Sequence, residues 1–583
     1  MLVGFHRSHE ASVVLVEEDG RPQCAVSEER FSRVKMQGGW PDLAAAYVGK
    51  HYDLSGARAV HGGLPLQQRF GREAQLAFYN ATHGKLQDVH PKRFRKLLDV
   101  ALGRTRQTEG AVFPGIDRNH IDHHTCHAAS AYFPSGFDEA WVVTVDGVGD
   151  TYSSRVFEGK GGRLHPIKAR FHTEFPLGHN YEYMTAMLGF HPHRHAGKVT
   201  GLSAHGTPDD KLLRLLEGWL AKVWSSREGR PYFFMLHSNH GSTEGDTAFD
   251  EALQELRGIR QTIFGDWSNM DLAWAIQYLL ERDVTRMIEQ TLPRLDGRPI
   301  CLAGGVFANV KLNKLVKEMG FSHIFVQPAM GDGGLAFGGP LQRLALERGS
   351  LAPFRLESVY LGPEYDEDEM RNAIRAEGLE PVRHDEVEKE IAAKLAEGRV
   401  VARFNGRMEF GPRSLGNRSI LYHCADASVN DWLNKRLDRT EFMPFAPATI
   451  EDEAHASFRD LRGAEHTAEF MTITSDCSEE FKRNCPAAVH VDGTARPQIV
   501  RAETNPSFHK VLGEYRKLTG VGTVVNTSFN MHEEPIVCTP QDAVRSFVRG
   551  HLDYLAIGPF LVENPELGPV VGAPPPRVNG AGE

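Results

Sequence analysis

The stretch HIDHHTCHAASAYF, from His120 to Phe133, contains four histidines and one cysteine in fourteen residues. If this stretch is helical, His123 and His127 lie one turn apart on the same face, where their imidazoles can bind one divalent cation. His120 and His124 would then point elsewhere. An isolated pair with this spacing is more often structural than metal-binding. The stretch therefore predicts a metal site only if further ligands accompany it.

Two aspartates in glycine-rich contexts could supply those ligands. Asp146, in VTVDGVGD, is predicted at the end of a strand, and Asp332, in MGDGGLAFGG, in a turn before a helix. Two histidines and two aspartates form a mixed nitrogen and oxygen donor set, which suits Fe²⁺, Mn²⁺ or Zn²⁺ better than Ca²⁺. This pattern predicts a metal site at His123, His127, Asp146 and Asp332. Each aspartate could equally be a helix cap or a turn former, and that alternative stays open here.

Other residues are candidates for nucleotide binding or acid–base chemistry. AGGVFAN is predicted as a strand, a Gly304–Gly305 turn and a helix, an arrangement whose backbone N–H groups favour a phosphate. Asn309 would lie one turn into that helix, within reach of a ribose or phosphate. His9, in a predicted turn between two strands, could act as a general base near neutral pH. For these residues and for Lys35, a turn or solvated role is the alternative.

The elements around these candidates alternate between strands and helices, which predicts an α/β or α+β architecture in both halves of the chain. Residues 1–5, 11–20 and 24–29 are predicted as strands. A helix is predicted from Trp267, capped by Ser268 and Asp271. The late stretches GTVVNTSFN and LDYLAIGPFLVEN are each predicted as one strand.

Length and composition restrict the class of protein. The chain has 583 residues, which is too long for a single core and suggests about two to four domains. A formal net charge of −10 argues against a general nucleic-acid binder, and no apolar stretch has the length of a membrane span. The N-terminal residues lack the pattern of a secretion signal, and the seven scattered cysteines contain no CxxC pair. We therefore expect a cytoplasmic protein with reduced thiols that binds neither nucleic acid nor membranes.

Eleven motifs occur in one order along nearly the whole chain, as far as about Glu563: SHEASVVLV, SEERFSRVK, HHTCHAASAYF, VTVDGVGD, GKVTGLSAHG, AGGVFANVKLN, GDGGLAFGG, GRMEFGPRSLGNRSIL, RTEFMPFAPA, VDGTARPQ and NTSFNMHEEPIV. Together they resemble the nodulation-factor and antibiotic O-carbamoyltransferases. The resemblance implies a threonylcarbamoyl-transferase-like domain at 1–352, with the fold of actin, sugar kinases and heat-shock ATPases. It further implies a YrdC-like α/β domain at 360–566, and we expect the Pro/Gly-rich tail at 567–583 to be disordered.

The resemblance also implies an activity. In this family the C-terminal domain makes carbamoyl adenylate from carbamoyl phosphate and ATP, supplied with Mg²⁺, and releases pyrophosphate. The N-terminal domain then transfers the carbamoyl group to a substrate hydroxyl beside a metal ion, typically Fe²⁺. By motif, the resemblance implies His123, His127, Asp146 and Asp332 as the metal ligands and His9 as the base. It implies that carbamoyl adenylate is held by Lys35, His127, Gly305 and Asn309. It implies that ATP and carbamoyl phosphate are bound by Arg413, Arg439, Arg496, Asn526 and Ser528.

Some features remain open at the level of sequence. Relatives often have a basic residue just before RTEF, where this chain has Asp438; an acid there would weaken a phosphate site, although Arg436 and Arg439 are neighbours. The expected acceptor is a hydroxyl of a small-molecule natural product such as an antibiotic, selected by residues in the less patterned stretches 64–118 and 217–249. The alternatives are N-carbamoylation of another acceptor, or a metal- and nucleotide-dependent binding module without transfer chemistry. A homodimer is also left open.

Overall fold

The computed structural model describes residues 1–64, 72, 75, 119–225, 247–293, 296–439 and 444–575. The chain divides into two compact units. The first contains Met1–Gln23 and Met36–Arg355, and the second contains Cys24–Lys35 and Leu356–Glu583. The main division lies within the gap between the predicted domains at 1–352 and 360–566. The short segment that includes Lys35 is part of the second unit.

Helices alternate with strands along the described part of the chain. They are α1 (Glu28–Ser32, in the second unit), α2 (Asp42–His51), α3 (His123–Tyr132), α4 (Leu177–Met187), α5 (Ala196–Ser203), α6 (Asp210–Ser225), α7 (Thr247–Thr262), α8 (Asn269–Thr291), α9 (Val310–Glu318), α10 (Leu335–Arg348), α11 (Glu367–Ala376), α12 (Val387–Ala396), α13 (Val429–Arg436), α14 (Ala454–Ser457), α15 (Glu465–Ala468), α16 (Glu479–Asn484), α17 (Pro506–Thr519) and α18 (Pro540–Arg549). The alternation of helices with strands confirms the predicted α/β class.

The first unit is built around two five-stranded sheets with the same strand order, and the edge strand Pro22–Ser27 of one sheet runs on into the segment Cys24–Lys35. Their strands are β1 (Leu2–His6), β2 (Ser12–Val16), β3 (Pro22–Ser27), β4 (Arg58–Gly62) and β5 (His120–Ile121), then β6 (Glu139–Gly149), β7 (Tyr152–Lys160), β8 (Arg163–Phe171), β9 (Ile300–Ala303) and β10 (Ile324–Val326). The orders are β3-β2-β1-β4-β5 and β8-β7-β6-β9-β10. In both sheets the first strand pairs antiparallel with the second and parallel with the fourth, which pairs parallel with the fifth.

Helix α10 lies directly against helix α3 because Gly338 has no side chain. A Cβ atom at Gly338 would overlap the backbone carbonyl oxygen of Cys126 on α3. The close approach brings the start of α10, just after Asp332, next to the helix that carries His123 and His127. A glycine contact between two helices therefore sets the position of one predicted ligand relative to two others.

The second unit is built on one eight-stranded sheet. Its strands are β11 (Val382–Arg383), β12 (Val401–Phe404), β13 (Arg418–His423), β14 (Ala446–Ile450), β17 (Gln498–Val500), β18 (Thr523–Ser528), β19 (Tyr554–Ile557) and β20 (Phe560–Glu563), and β15 (Ser475–Asp476) pairs with β16 (Thr494–Ala495) separately. The order is β11-β20-β19-β12-β13-β18-β14-β17. Helices α12 and α17 pack on this sheet through buried residues such as Leu395, Phe508 and Leu512.

The C-terminal segment makes specific contacts within the second unit. Arg399 Nη1 donates a hydrogen bond to the carbonyl oxygen of Gly568 at 2.7 Å, and Tyr422 Oη donates to that of Val571 at 3.0 Å. Residues 576–583 lie outside the described residues. The predicted disorder of the tail therefore stays a prediction.

Most of the predicted elements are confirmed, with local differences. Strands β1 and β2 lie where the sequence placed them, and α8 begins with the predicted Ser268–Asp271 capping box. The stretch LDYLAIGPFLVEN forms two strands, β19 and β20, because Gly558 turns the chain with a positive φ of 54°. Asp146 lies inside β6, not at its end.

Two findings relate to the expectation of reduced thiols and of no membrane span. All seven cysteines are buried free thiols, and Cys424 Sγ lies 2.7 Å from Cys485 Sγ in the second unit. In the described part of the chain, no helix combines the length and apolar character needed to cross a membrane.

We expect Gly338→Ala to destabilise the first unit, because the added methyl group must push α10 away from α3. Overpacking of this kind typically lowers the free energy of unfolding by about 1–3 kcal/mol. Thermal or urea unfolding measures the change. The control is Gly49→Ala on α2, where a Cβ atom meets nothing within 4 Å; it should be neutral or stabilising. Equal stability of Gly338→Ala and the wild type would contradict the role of this contact.

Candidate functional site

Four side chains of the first unit converge on one point. The ligand atoms of His123, His127, Asp146 and Asp332 all lie within 4.8 Å of one another. Asp146 Oδ2 is 3.4 Å from His123 Nε2 and 3.0 Å from His127 Nε2. Asp332 Oδ1 is 3.4 Å and 3.5 Å from the same two nitrogen atoms. The structure thus brings together the four residues predicted as metal ligands.

Helix α3 presents both histidines on one face, as predicted. Its N-cap is Asp122, whose Oδ1 accepts a hydrogen bond from the backbone N–H of Thr125 at 2.8 Å. Arg155 Nη1 also donates to Asp122 Oδ1, at 2.7 Å. Burial alone would raise the pKa of Asp122, but the charges of Arg155 and Arg72 lower it below its usual value. The fixed carboxylate of Asp122, the N-cap, therefore sets the start of the helix at the next residue, His123.

The two aspartates are aimed at the histidines by irregular backbone. The register of β6 against β7 shifts between Val145 and Gly149, and Asp146 lies in this bulge. Bulges re-aim side chains, and here the backbone N–H of Gly147 donates to Asp146 Oδ1 at 2.8 Å, which leaves Oδ2 toward the imidazoles. Asp332 begins a single 3₁₀ turn, Asp332–Gly334, that leads into α10.

The spacing of the four atoms fits a divalent transition metal. With metal–ligand bonds of about 2.0–2.2 Å, neighbouring ligand atoms lie roughly 3.0 Å apart in an octahedral site and roughly 3.4 Å apart in a tetrahedral one. The four nitrogen–oxygen separations between the histidines and the aspartates, 3.0–3.5 Å, agree with these values. Asp332 Oδ1 is buried without a hydrogen-bond partner of ordinary geometry among the described residues. The donor set and its spacing therefore fit the predicted cation.

The charges in the site also favour a cation. Burial alone would lower the pKa of His123, but the carboxylates of Asp332 and Asp146 raise it to about 9. Burial alone would raise the pKa values of Asp146 and Asp332, but nearby histidines lower both. The buried carboxylate of Asp332 and the partly buried carboxylate of Asp146 thus create a strongly negative environment, and a divalent ion can replace the proton on an imidazole ligand there.

The remaining histidines of the opening stretch, His120 and His124, point away from the four-residue cluster, as predicted. His124 Nδ1 lies 2.9 Å from Thr144 Oγ1, and its Nε2 lies 3.0 Å from the carbonyl oxygen of Tyr152. Burial and the positive charges of His123 and His127 lower the pKa of His124 to about 3. His120 Nδ1 lies 3.1 Å from the carbonyl oxygen of Gly63.

The outer oxygen of Asp332 contacts residues near the N-terminus, of which the sequence predicted only His9. His9 Nδ1 is 3.6 Å from Asp332 Oδ2, so the predicted base lies at the edge of the cluster. Burial alone would lower the pKa of His9, but the carboxylates of Asp332, Glu10 and Asp146 raise it. Ser8 Oγ donates to Asp332 Oδ2 at 3.0 Å, and His6 Nε2 lies 3.2 Å from the same oxygen. His6 and Ser8 were missed because neither residue stands in a recognisable metal-binding spacing.

Two predicted nucleotide-binding residues of the first unit lie on one turn. Gly305 is exposed, and a Cβ atom there would lie 3.1 Å from Asp146 Oδ1, so its backbone borders the metal cluster. Asn309 is the N-cap of α9 and is buried. Its amide group exchanges hydrogen bonds with the side chain of Gln277, at 2.7 Å and 3.2 Å. The side chain of Asn309 is therefore engaged within the protein, and any contact with a ligand stays a prediction.

The predicted residues of the second unit gather around the end of β18. Arg439 donates to Thr527 Oγ1 at 3.1 Å and to the carbonyl oxygen of Ser528 at 2.6 Å. Asn526 Nδ2 donates to the carbonyl oxygen of Ser414 and to the side chain of Gln498, at 3.3 Å and 2.8 Å. Because Ser414 follows Arg413 and Gln498 lies two residues after Arg496, the structure draws together the segments that carry all five predicted residues.

A buried carboxylate shapes the loop that contains Arg413. Glu409 Oε1 accepts hydrogen bonds from the backbone N–H groups of Leu415, Asn417 and Arg418 at 2.8, 2.8 and 3.2 Å. Glu409 has no signal in the sequence, because an acid in MEFGPRSLGNR has no distinctive spacing. Its three backbone contacts make it the residue that sets the conformation of this loop.

Other arginines of the second unit are structural. Arg418 is fully buried and donates to the carbonyl oxygens of Asn405, Asn417, Pro363 and Gly406. Arg403 is also buried, and burial lowers its pKa to about 10. These two arginines therefore serve the packing and the hydrogen bonding of the unit itself.

Two further residues that the sequence singled out are Lys35 and Asp438. Lys35 follows α1 and is partly exposed in the second unit. Asp438 adopts a positive φ of 57° just after α13, a conformation that Asp tolerates better than most residues. This backbone requirement explains an aspartate at that position; its effect on a phosphate site stays untested.

Two family models match this chain. A model described as the carbamoyltransferase N-terminus matches residues 75–341, and one described as the carbamoyltransferase C-terminus matches residues 392–564. The chain belongs to the carbamoyltransferase family. The predicted resemblance and the prediction of a carbamoyl-transferring enzyme are confirmed, and the binding-module alternative is disfavoured.

Named relatives cover much of the chain. An uncharacterized protein of Synechocystis is 31% identical over 95% of this chain and 95% of its own length. Nodulation protein NolNO of Sinorhizobium fredii is 32% identical over 96% of this chain and 80% of its own length. The 3'-hydroxymethylcephem-O-carbamoyltransferase of Amycolatopsis lactamdurans is 33% identical over 43% of this chain and 46% of its own.

A solved structure also aligns with part of the chain. It is the (R)-2-hydroxyglutaryl-CoA dehydratase component A of Acidaminococcus fermentans, 12% identical, covering 59% of this chain and 98% of that protein with a TM-score of 0.30. A score this low carries no argument about fold or activity. The actin-like and YrdC-like assignments of the two units therefore stay predictions.

We expect the purified protein to bind about one equivalent of a divalent transition metal, with the four-residue cluster as its site. His127→Ala removes one ligand atom and should lower the bound metal to a small fraction of an equivalent. Elemental analysis after dialysis measures the content. His120→Ala, which changes a partly exposed histidine of the same stretch, should keep the full amount. Retention of metal by His127→Ala would place the ion elsewhere.

Proposed function

We propose that this chain is an ATP-dependent O-carbamoyltransferase with one reaction in each unit. In the proposal the second unit makes carbamoyl adenylate from carbamoyl phosphate, water and ATP bound with Mg²⁺. Water takes the phosphoryl group of carbamoyl phosphate and leaves as inorganic phosphate, the carbamate oxygen bonds to the α-phosphorus of ATP, and pyrophosphate leaves. The first unit transfers the carbamoyl group to a hydroxyl of a small-molecule natural product. The observation that carries the proposal is the four-residue cluster of His123, His127, Asp146 and Asp332 in a chain of the carbamoyltransferase family.

The residues of the first unit support a transfer reaction. His123, His127, Asp146 and Asp332 would hold a divalent cation, with Fe²⁺ proposed and Mn²⁺ or Zn²⁺ as alternatives. Such an ion, when bound, stabilises negative charge that develops on a carbonyl or phosphate oxygen. Gly305 offers exposed backbone beside Asp146, where a phosphate oxygen of the adenylate could be placed.

His9 is the proposed base for the acceptor. The hydroxyl proton moves to His9, the hydroxyl oxygen bonds to the carbamoyl carbon, and the bond from that carbon to the phosphate oxygen of AMP breaks. AMP leaves with the electron pair of that bond. General-base catalysis of this kind contributes about 10²–10⁴-fold to the rate. The side chain of His9 is 35% exposed, which leaves it accessible to an acceptor.

The second unit supports the formation of an adenylate. Carbamoyl phosphate and ATP are both polyanions, and arginine is the side chain best suited to bind phosphate in a bidentate way. Arg413 and Arg496 are the proposed phosphate-binding groups. Arg439 is engaged with Thr527, Ser528 and Asn530, so its proposed contribution is to hold the loop that presents Ser528. Asn526 similarly holds the segments of Arg413 and Arg496 in place.

The acceptor class rests on the relatives. One relative is named as an O-carbamoyltransferase of a hydroxymethylcephem and others as nodulation proteins, so a secondary metabolite with a hydroxyl group is the proposed acceptor here. Most of the stretches that the sequence proposed for acceptor selection, 64–118 and 217–249, lie outside the described residues. N-carbamoylation remains the alternative.

The two half-reactions should separate by mutation. We expect the wild-type enzyme to release pyrophosphate from ATP and carbamoyl phosphate without any acceptor, and Arg413→Ala or Ser528→Ala to abolish that release. His127→Ala should keep pyrophosphate release and lose product formation, because it changes the other unit. A coupled pyrophosphate assay measures the first step. Arg549→Ala, at an exposed arginine on α18, is the matched control. Loss of pyrophosphate release in His127→Ala would show that the assignment of reactions to units is wrong.

Acceptor identity is testable by mass spectrometry. We expect the enzyme, incubated with a panel of hydroxylated natural products, ATP and carbamoyl phosphate, to add one carbamoyl group to at least one compound. The products should form only on compounds with a free hydroxyl. Modification of a compound whose sole nucleophile is an amine would favour N-carbamoylation instead.

A further inference from the structure

The outer oxygen of Asp332 is held by side chains that the predicted metal site does not include. Asp332 is 3% exposed, and its two oxygens face different groups. Oδ1 faces the Nε2 atoms of His123 and His127, whereas Oδ2 faces Ser8 Oγ at 3.0 Å and His6 Nε2 at 3.2 Å. The hydrogen bond from Ser8 and the close approach of the His6 ring restrict rotation of this carboxylate. The contacts on Oδ2 therefore fix the direction in which Oδ1 points toward the candidate cation.

His6 is itself fixed in place. Its side chain is 4% exposed, and its Nδ1 lies 3.2 Å from the carbonyl oxygen of Gly62 on the neighbouring strand β4. The ring therefore spans from the backbone of one strand to the carboxylate. Groups that hold a metal ligand in this way typically change metal affinity by 10–100-fold when they are removed.

Ser8 connects Asp332 to the proposed base. Ser8 Oγ lies 3.0 Å from Asp332 Oδ2 and 3.2 Å from His9 Nδ1. The hydroxyl has one proton, and an ionised carboxylate can only accept, so this proton is donated to Asp332. Ser8 Oγ must then accept from His9, which places the proton of the neutral imidazole on Nδ1. The other ring nitrogen, Nε2, keeps the lone pair that a base requires.

We propose that His6 and Ser8 are positioning residues of the carbamoyl-transfer site, which fix Asp332 as a metal ligand and His9 in the Nδ1–H tautomer. The arrangement resembles a catalytic triad in its logic, since a carboxylate orients an imidazole through a hydrogen bond, here relayed by a hydroxyl. The inference rests on the proposed function for the cation and for His9. It adds two residues that touch neither the acceptor nor the adenylate in the proposed reaction.

Metal binding tests the role of His6. Titration of the metal-free full-length protein with Co²⁺, followed by its visible absorption, gives a dissociation constant without any turnover. His6→Leu should weaken Co²⁺ binding by about 10–100-fold, and His6→Gln, which keeps an N–H donor, should recover part of the loss. The control is His61→Gln, a buried histidine of the adjacent strand whose Nδ1 contacts the carbonyl oxygen of Gly63 instead. Thermal unfolding verifies that each variant is folded.

Nuclear magnetic resonance and kinetics test the role of Ser8. The ¹⁵N shifts of His9 should report the Nδ1–H tautomer in the wild type and a mixture of tautomers in Ser8→Ala. That variant should lower kcat for carbamoyl transfer about tenfold or more and leave the KM for the acceptor and pyrophosphate release unchanged. Ser8→Thr, which keeps the hydroxyl, should retain most of kcat.

The outcomes separate this inference from the proposed function. Unchanged Co²⁺ affinity in folded His6→Leu, or an unchanged His9 tautomer in Ser8→Ala, would overturn the role of that residue while the metal centre stands. Absence of Co²⁺ binding in the wild type would overturn the proposed metal centre and this inference together. Equal loss of affinity in His61→Gln and His6→Leu would reduce the effect to general packing, which also overturns it.

Discussion

The first unit depends on the concentration of negative charge that Asp146 and Asp332 create in a buried space. Two carboxylates this close are unfavourable unless positive charge offsets them, and His123 and His127 face both. The attraction between these groups raises the pKa of His123 and lowers the pKa values of both aspartates. Much of the surrounding architecture keeps these groups together: the capped start of α3, the bulge in β6, and the glycine contact between α3 and α10.

Sequence reasoning recovered the parts of the site that follow from local patterns. The helical spacing of His123 and His127, the capping box of α8 and the α/β alternation all depend on residues close in the chain, and all are confirmed. Residue context and the family resemblance both predicted Asp332 as a ligand beside α3, but neither predicted the packing of Gly338 against Cys126 that brings the two together. The contacts of His6 and Ser8 with Asp332 join positions more than 300 residues apart, and no pattern in the sequence signals them.

In the second unit the same reasoning predicted five ATP- and carbamoyl-phosphate-binding residues, and the structure brings their segments together. Two other arginines nearby, Arg403 and Arg418, are buried and bonded to the protein itself. Asn526 and Arg439 hold backbone segments together, so their predicted contacts with ATP and carbamoyl phosphate remain proposals. The reason is physical: glycine-rich loops such as GPRSLGNRS need internal hydrogen bonds, and Glu409 and the arginines provide them. A motif residue can thus be essential to a loop without touching the ligand.

The shared strand order of the two sheets in the first unit has a consequence for how the centre is put together. In each sheet, the first strand along the chain lies between the second and the fourth strands and supplies a polar side chain near the cluster. These side chains are His6 from β1 and Asp146 from β6. His6 is the last residue of β1, whereas Asp146 lies in the bulge of β6, so the two strands reach the cluster in different ways. His6 contacts Asp332 on the oxygen that faces away from His123 and His127, and Asp146 faces those histidines directly. The same strand order can therefore place a supporting group in one sheet and a candidate ligand in the other.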